Sequence, residues 1–140
     1  MGSALFVAVA VGVIVAVQVA LLGDVARRLH PLAVSVVLQI AGVVGGLLWV
    51  AVTQTWADVV AVTRSAWWVP LGVAGWLLVA ALGYSSARIG VVATLGVSVA
   101  VQLAAGLAFD AASGRVAVGP RPVLGVLLLA AGVALTVQRA

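Results

Sequence analysis

The chain has no cysteine, no lysine and no glutamate. Its charge is confined to seven Arg and three Asp, with a single His. A soluble domain carries about a quarter charged residues, whereas here the share is 7%. That shortfall excludes an ordinary soluble enzyme and a disordered tail. The missing Cys excludes a disulfide framework, a thiol nucleophile and a Cys-based metal site. The net charge of +4 comes from Arg scattered between apolar runs, with no basic stripe, so it does not describe a nucleic-acid surface. What is present is apolar: 66% of residues are hydrophobic, and there are 16 Gly. Gly is commoner in membrane helices than in soluble ones. The composition is that of an integral membrane protein.

A helix needs about 20 residues to cross a hydrocarbon core about 30 Å thick. Five segments approach this length, and the spans are expected at residues 4–22, 32–53, 67–85, 91–109 and 123–138. Gly23 and Asp24, followed by Arg27, Arg28 and His30, are read as the stop of the first. Pro31, Pro70, Pro120 and Pro122 all fall at or near span starts, where a missing N–H does no harm. The fifth span is short and is expected to tilt little or to thin the bilayer. Continuous apolar runs of this length exclude barrel strands, which are about 10 residues and alternate. The first span lacks a charged leader and exceeds a signal-peptide core of about 7–15 residues, so it is expected to be retained. The connections at 54–66 and 111–121 are the longest, and neither is long enough for a soluble domain. One five-helix transmembrane domain over residues 1–140 is expected.

Trp49, Trp56, Trp67 and Trp68 flank the second connection, as an interfacial aromatic belt would. Tyr84 is the counterpart at the other face. Trp76 lies eight residues past Trp68, about 12 Å deeper at 1.5 Å per residue. It either faces lipid or lines a cavity.

Arg64, Arg115 and Arg121 fall on the N-terminal side of the membrane, and Arg27, Arg28, Arg88 and Arg139 on the other. The positive-inside rule needs a clear excess to fix orientation, and three against four supplies almost none. Insertion in both orientations is therefore expected, the alternative being one orientation fixed by the Arg27-Arg28 pair close to a short hairpin. The odd span count strengthens this expectation, because a second copy fused to the first would enter upside down. Many transporters are built from such inverted repeats, with the site at the repeat interface near the midplane. Five helices alone are too few to enclose a pocket and open it to either side.

Polar and small residues share faces within the spans. Ser35, Gln39, Gly42, Gly46, Trp49 and Thr53 lie on one side of the second helix. Thr94, Ser98, Gln102, Gly106 and Asp110 form a slowly winding stripe on the fourth. The first carries Gln18, and the third Gly72, Gly75 and Gly83. On one reading these faces are packing seams, with Gly42, Gly46, Gly72, Gly75 and Gly106 letting helices approach closely. On the other, Gln18, Gln39, Ser98 and Gln102 line a polar cavity with Trp76 as an aromatic wall. Either way the amides need partners, since an unpaired one in hydrocarbon costs about 2–7 kcal/mol.

No ionisable residue lies at the centre of a span, so a buried carboxylate relay has no obvious carrier. Asp24 and Asp110 sit at expected helix ends, where hydration accounts for them. His30 is read as an interfacial residue. One His and three scattered Asp make no metal site. No nucleophile elbow, zincin motif or P-loop occurs. Neither an enzyme nor a cofactor is expected.

Several residues, taken in order, resemble the YdcZ-like inner-membrane proteins of the drug/metabolite transporter superfamily. They are Gln18 late in the first span, the Pro31-Leu32-Ala33 start of the second, and the small-residue stretch from Gly42 to Gly46. Trp67-Trp68, Gly72, Gly75, Tyr84 and Gly90 follow, then Val101-Gln102-Leu103 with Gly106 and Asp110, and finally Pro122, Gly125 and Gly132. The resemblance covers nearly the whole chain, and its strength lies in the ordered set. It implies a five-helix half-transporter of the inner membrane, completed by an antiparallel second copy or a related chain, and exporting small organic solutes. Relatives often carry an Asn a few residues after the first-span Gln. Residues 19–24 lack one, so any pocket there is less polar or is completed by a partner. The first-span Glu of the small multidrug-resistance branch is also missing, and that mechanism does not carry over.

Two functions of different class follow. The first is a secondary transporter subunit working by alternating access on a neutral, zwitterionic or weakly polar solute. The second is a lipid-carrier flippase component, or a non-transporting structural subunit whose polar stripes face a partner protein.

Overall fold

The computed structural model describes residues 2–114 and 119–137. Arg115, Gln138 and Arg139, used above for the charge balance and the end of the fifth span, lie outside the described residues. The described chain is helical in six segments: α1 (Gly2–Ala26), α2 (Pro31–Thr53), α3 (Trp56–Thr63), α4 (Trp68–Ile89), α5 (Val91–Ser113) and α6 (Pro120–Val137). All except α3 are long and apolar enough to cross a membrane. Most large apolar side chains point outward, Phe6 being 75% and Val52 78% exposed. In water that arrangement would be untenable, whereas in a bilayer the acyl chains cover it.

The expected spans are all present, but their ends differ. α1 runs through Gly23 and Asp24 rather than stopping there. The reason is packing: Gly23 is buried against α4, and it serves close approach instead of breaking the helix. α4 continues past Ser85 to Ile89, and α5 past Asp110 to Ser113. A polar residue one turn from a helix end keeps its backbone bonds and reaches the interface with its side chain.

Turn chemistry explains the connections. His30 is extended (φ −66°, ψ 124°), the conformation that a following proline imposes, and Pro31 opens α2. α4 and α5 are joined by Gly90 alone, at φ 81° and ψ 163°. That region is essentially restricted to glycine. The Gly90 N–H donates to the Ser86 carbonyl, and its own carbonyl accepts from the Thr94 N–H, each at 3.1 Å, so one residue caps both helices. The second connection contains the short α3. Trp56, Val59, Val60 and Thr63 recur at helical spacing, and Asp58 in the first turn complements the helix dipole. The Trp68 indole donates to the Thr63 carbonyl at 3.2 Å and ties the end of α3 to the start of α4.

α4 is the hub, packed by α1, α2 and α5, while α6 packs chiefly on α5. The buried residues are Val19, Leu22 and Gly23 of α1, Ser35 of α2, Ala80, Gly83 and Ser86 of α4, and Ala93 and Thr94 of α5. All of them belong to the helix halves nearest Arg27, Arg28 and Arg88. The bundle is tight at that end. A Cβ on Gly23 would meet Ser86 Oγ at 2.6 Å, and one on Gly83 would touch Leu22 and Ala26 at 3.6–3.7 Å. Ser86 Oγ is shared between the carbonyls of Val19 (3.2 Å) and Gly83 (3.3 Å), binding α1 to α4. The helix halves toward the other end contribute no buried residue.

Candidate functional site

The side chains expected to bind solute fall into separate grooves within one protomer. Gln39 and Trp76 come together. They line a groove between α2 and α4, of about 590 Å³, with Gly42, Val43 and Gly72. Gln39 projects inward here because residues 35, 39 and 42 share the α2 face toward α4. Its Nε2 lies 3.7 Å from where a Cβ on Gly75 would be, an ordinary contact distance, so the amide packs over Gly75 on α4. Trp76 Nε1 is buried and has no hydrogen-bond partner. An unpaired buried donor costs about 1–3 kcal/mol. The groove therefore holds one amide on otherwise apolar walls, and Trp76, whose orientation the sequence left open, lines it with its Nε1 covered by the protein.

The other candidates lie elsewhere. Gln18 is exposed and borders an almost wholly apolar groove between α1 and α2, lined by Leu21, Val25, Ala33 and Val37. Gln102 is exposed and borders a groove between α5 and α6 with Gly106, Asp110 and Gly125. Ser98 is half-buried on α5. The chain does not gather the three Gln of α1, α2 and α5 around one cavity.

The glycines separate in the same way. Around Gly42, Gly46, Gly72 and Gly106 there is nothing within 4 Å of an added Cβ. Within the protomer the close helix contacts fall instead at Gly23, Gly83 and Gly96, the last against Val133 of α6 at 3.1 Å. Sequence spacing favoured the glycines of the GxxxG stretch because they form a regular face. It passed over Gly23, which stands next to an Asp and looked like a stop signal. The pairing of Gly23 with Ser86 spans more than sixty residues, and no local pattern announces it.

Tyr84, expected as an interfacial anchor, lies at the tight end and carries the Arg88 guanidinium over its ring, 4.0 Å from the centroid. Ser85, Arg88 and His30 border a cavity beside it that the sequence reading did not foresee. The signal was available: Leu77, Ala81, Tyr84 and Arg88 share one face of α4.

A family model described as "Putative inner membrane exporter, YdcZ" matches residues 3–135. The match reaches all five membrane helices, stopping two residues short of the end of α6, and bears out the resemblance read from the ordered residue set. No curated protein and no solved structure matches the chain.

Proposed function

The chain belongs to the YdcZ family of inner-membrane exporters, and from that premise we propose that it is one subunit of a secondary exporter for small organic solutes, working by alternating access as an antiparallel dimer. It is a multi-pass protein of the inner membrane. The observation that carries the finer reading is the groove between α2 and α4. It offers a solute one amide, Gln39, between apolar walls that include Trp76. Such a site suits a neutral, zwitterionic or weakly polar organic molecule, since its lining includes no charged group. The groove is flanked by Gly42 and Gly72, whose surfaces are uncovered and so accept a second chain. An odd number of spans and a near-even Arg distribution favour that chain entering the opposite way. The subunit then does its work by binding and rocking, without covalent chemistry.

The test is counterflow in proteoliposomes over a panel of neutral and zwitterionic organic solutes. For a transported solute, Gln39→Leu should lower flux at least tenfold. Trp76→Phe, which keeps an aromatic wall but trims the bicyclic indole to a phenyl ring, should raise KM more than it lowers the maximal rate. If both variants carry every transported solute at the wild-type rate, the α2–α4 groove is not the site.

A further inference from the structure

We propose that the cavity at the tight end of the bundle is a binding site for an amphiphilic anion, with Arg88 and His30 taking the acidic headgroup and Leu77, Ala80 and Leu32 taking its apolar tail. This site is distinct from the Gln39–Trp76 groove, and its test does not depend on transport. The cavity measures about 550 Å³ between α1, α2 and α4. One wall is a single face of α4: Leu77, Ala80, Ala81, Tyr84, Ser85 and Arg88 recur at three- and four-residue steps. From Leu77 to Arg88 that face descends about 16 Å at 1.5 Å per residue. The opposite wall brings Ala26, His30, Pro31 and Leu32.

Polarity changes along this depth. The mouth holds a guanidinium, an imidazole and the hydroxyls of Tyr84 and Ser85, while the inner part is aliphatic. No carboxylate is among the residues that line it. Stacking of Arg88 on Tyr84 occupies the face of the guanidinium and leaves its edge, with the N–H fork, for an acceptor. A planar fork held in place by a ring is suited to bidentate capture of a phosphate or carboxylate. Arg27 and Arg28 precede His30 in the same connection and add positive potential, against Asp24 alone on that side. His30 and Arg88 stand at the ends of membrane helices, the level at which lipid headgroups lie. A charged mouth over a greasy floor fits a molecule with one acidic head and one hydrocarbon tail. Both an anionic lipid of the bilayer and a dissolved alkyl anion have that chemistry.

The full chain, purified and delipidated in a neutral detergent, is titrated with dodecyl phosphate and with zwitterionic dodecylphosphocholine. Saturable binding of the phosphate, at least tenfold tighter than the zwitterion, is expected. Arg88→Gln should weaken it at least tenfold, and so should Ala81→Trp, which fills the cavity and leaves the charges in place. Arg64→Gln, on the other side of the membrane, should leave it unchanged. Should Arg88→Gln fail to fold, Ala81→Trp and the headgroup comparison on the unaltered chain decide alone. Equal affinity for the zwitterion, an equal loss in Arg64→Gln, or full binding in Ala81→Trp would overturn the site. A second arm adds nanodiscs containing phosphatidylglycerol. Displacement of dodecyl phosphate by that lipid assigns the site to a resident lipid headgroup, and persistence assigns it to a dissolved amphiphile; the anion site stands in both cases.

Discussion

Gly23 and Ser86 meet so closely that even a methyl group has no room. In Gly23→Ala the new Cβ would fall 2.6 Å from Ser86 Oγ and 3.2 Å from the Ser86 carbonyl carbon. The hydroxyl can turn aside but the backbone cannot. The substitution should lower stability by about 1–3 kcal/mol, read as a fall in melting temperature in detergent. Adding Ser86→Ala should recover only part of it. A Gly23→Ala chain that melts with the wild type would contradict this contact. Ser86→Ala alone removes a shared interhelical hydrogen bond and should cost about 0.6 kcal/mol. Thr94 is the opposite case: its hydroxyl is buried with no partner. Thr94→Val keeps the branched shape and removes the unsatisfied oxygen, so it should raise stability by about 1 kcal/mol. A lower melting temperature would show that the hydroxyl is bonded in the membrane.

At the scale of the helix, Gly90 and the α2 glycines lead to contrasting expectations. Gly90→Ala places a side chain in a backbone region that only glycine tolerates, and should cost about 1–3 kcal/mol. Gly42→Leu with Gly46→Leu meets open space inside the protomer. That double variant should therefore melt near the wild type as a monomer yet lose self-association, measured by cross-linking in the bilayer. If it unfolds the monomer, these glycines pack within the chain after all. The five apolar helices were legible because each is a long uninterrupted run and lipid imposes one rule on every residue of it. Their ends were less legible. Gly23 and Asp24 looked like stop signals, and only the α4 surface opposite makes Gly23 a packing residue. The short α3 was hidden because span length was the yardstick there, although Trp56, Val59, Val60 and Thr63 carried its period. Of the candidate site, Gln39 with Trp76 could be suspected from residue type. Their meeting depends on how α2 leans on α4, which no single-helix pattern contains. The mouth around Arg88 was missed because each charge, taken alone, was only a residue at a span end.

The whole molecule is one-sided in its packing. Buried residues gather near the Arg27–Arg28 and Arg88 connections, while the α2 glycines and Gly72 stay bare. A partner inserted the opposite way would set its tight end beside this open one. Paired C-terminal reporters, each active on one side of the membrane, should then both give signal from a single gene product. Signal from one side only would require a sister chain of opposite orientation. Gly42→Cys, at the centre of α2 where oppositely inserted copies share one depth, should form an intermolecular disulfide in the bilayer; a chain that remains monomeric under oxidation would count against the dimer.

The position of the buried residues along the chain has a further effect. They run from Val19 to Thr94, and α6 contributes none. During synthesis the knot that holds α1, α2, α4 and α5 together can be tied before the last helix leaves the ribosome. A chain ended after Ser113 should still resist protease at its first, second and fourth helices. α6, fastened mainly by α5, is then the last piece to join a bundle already formed.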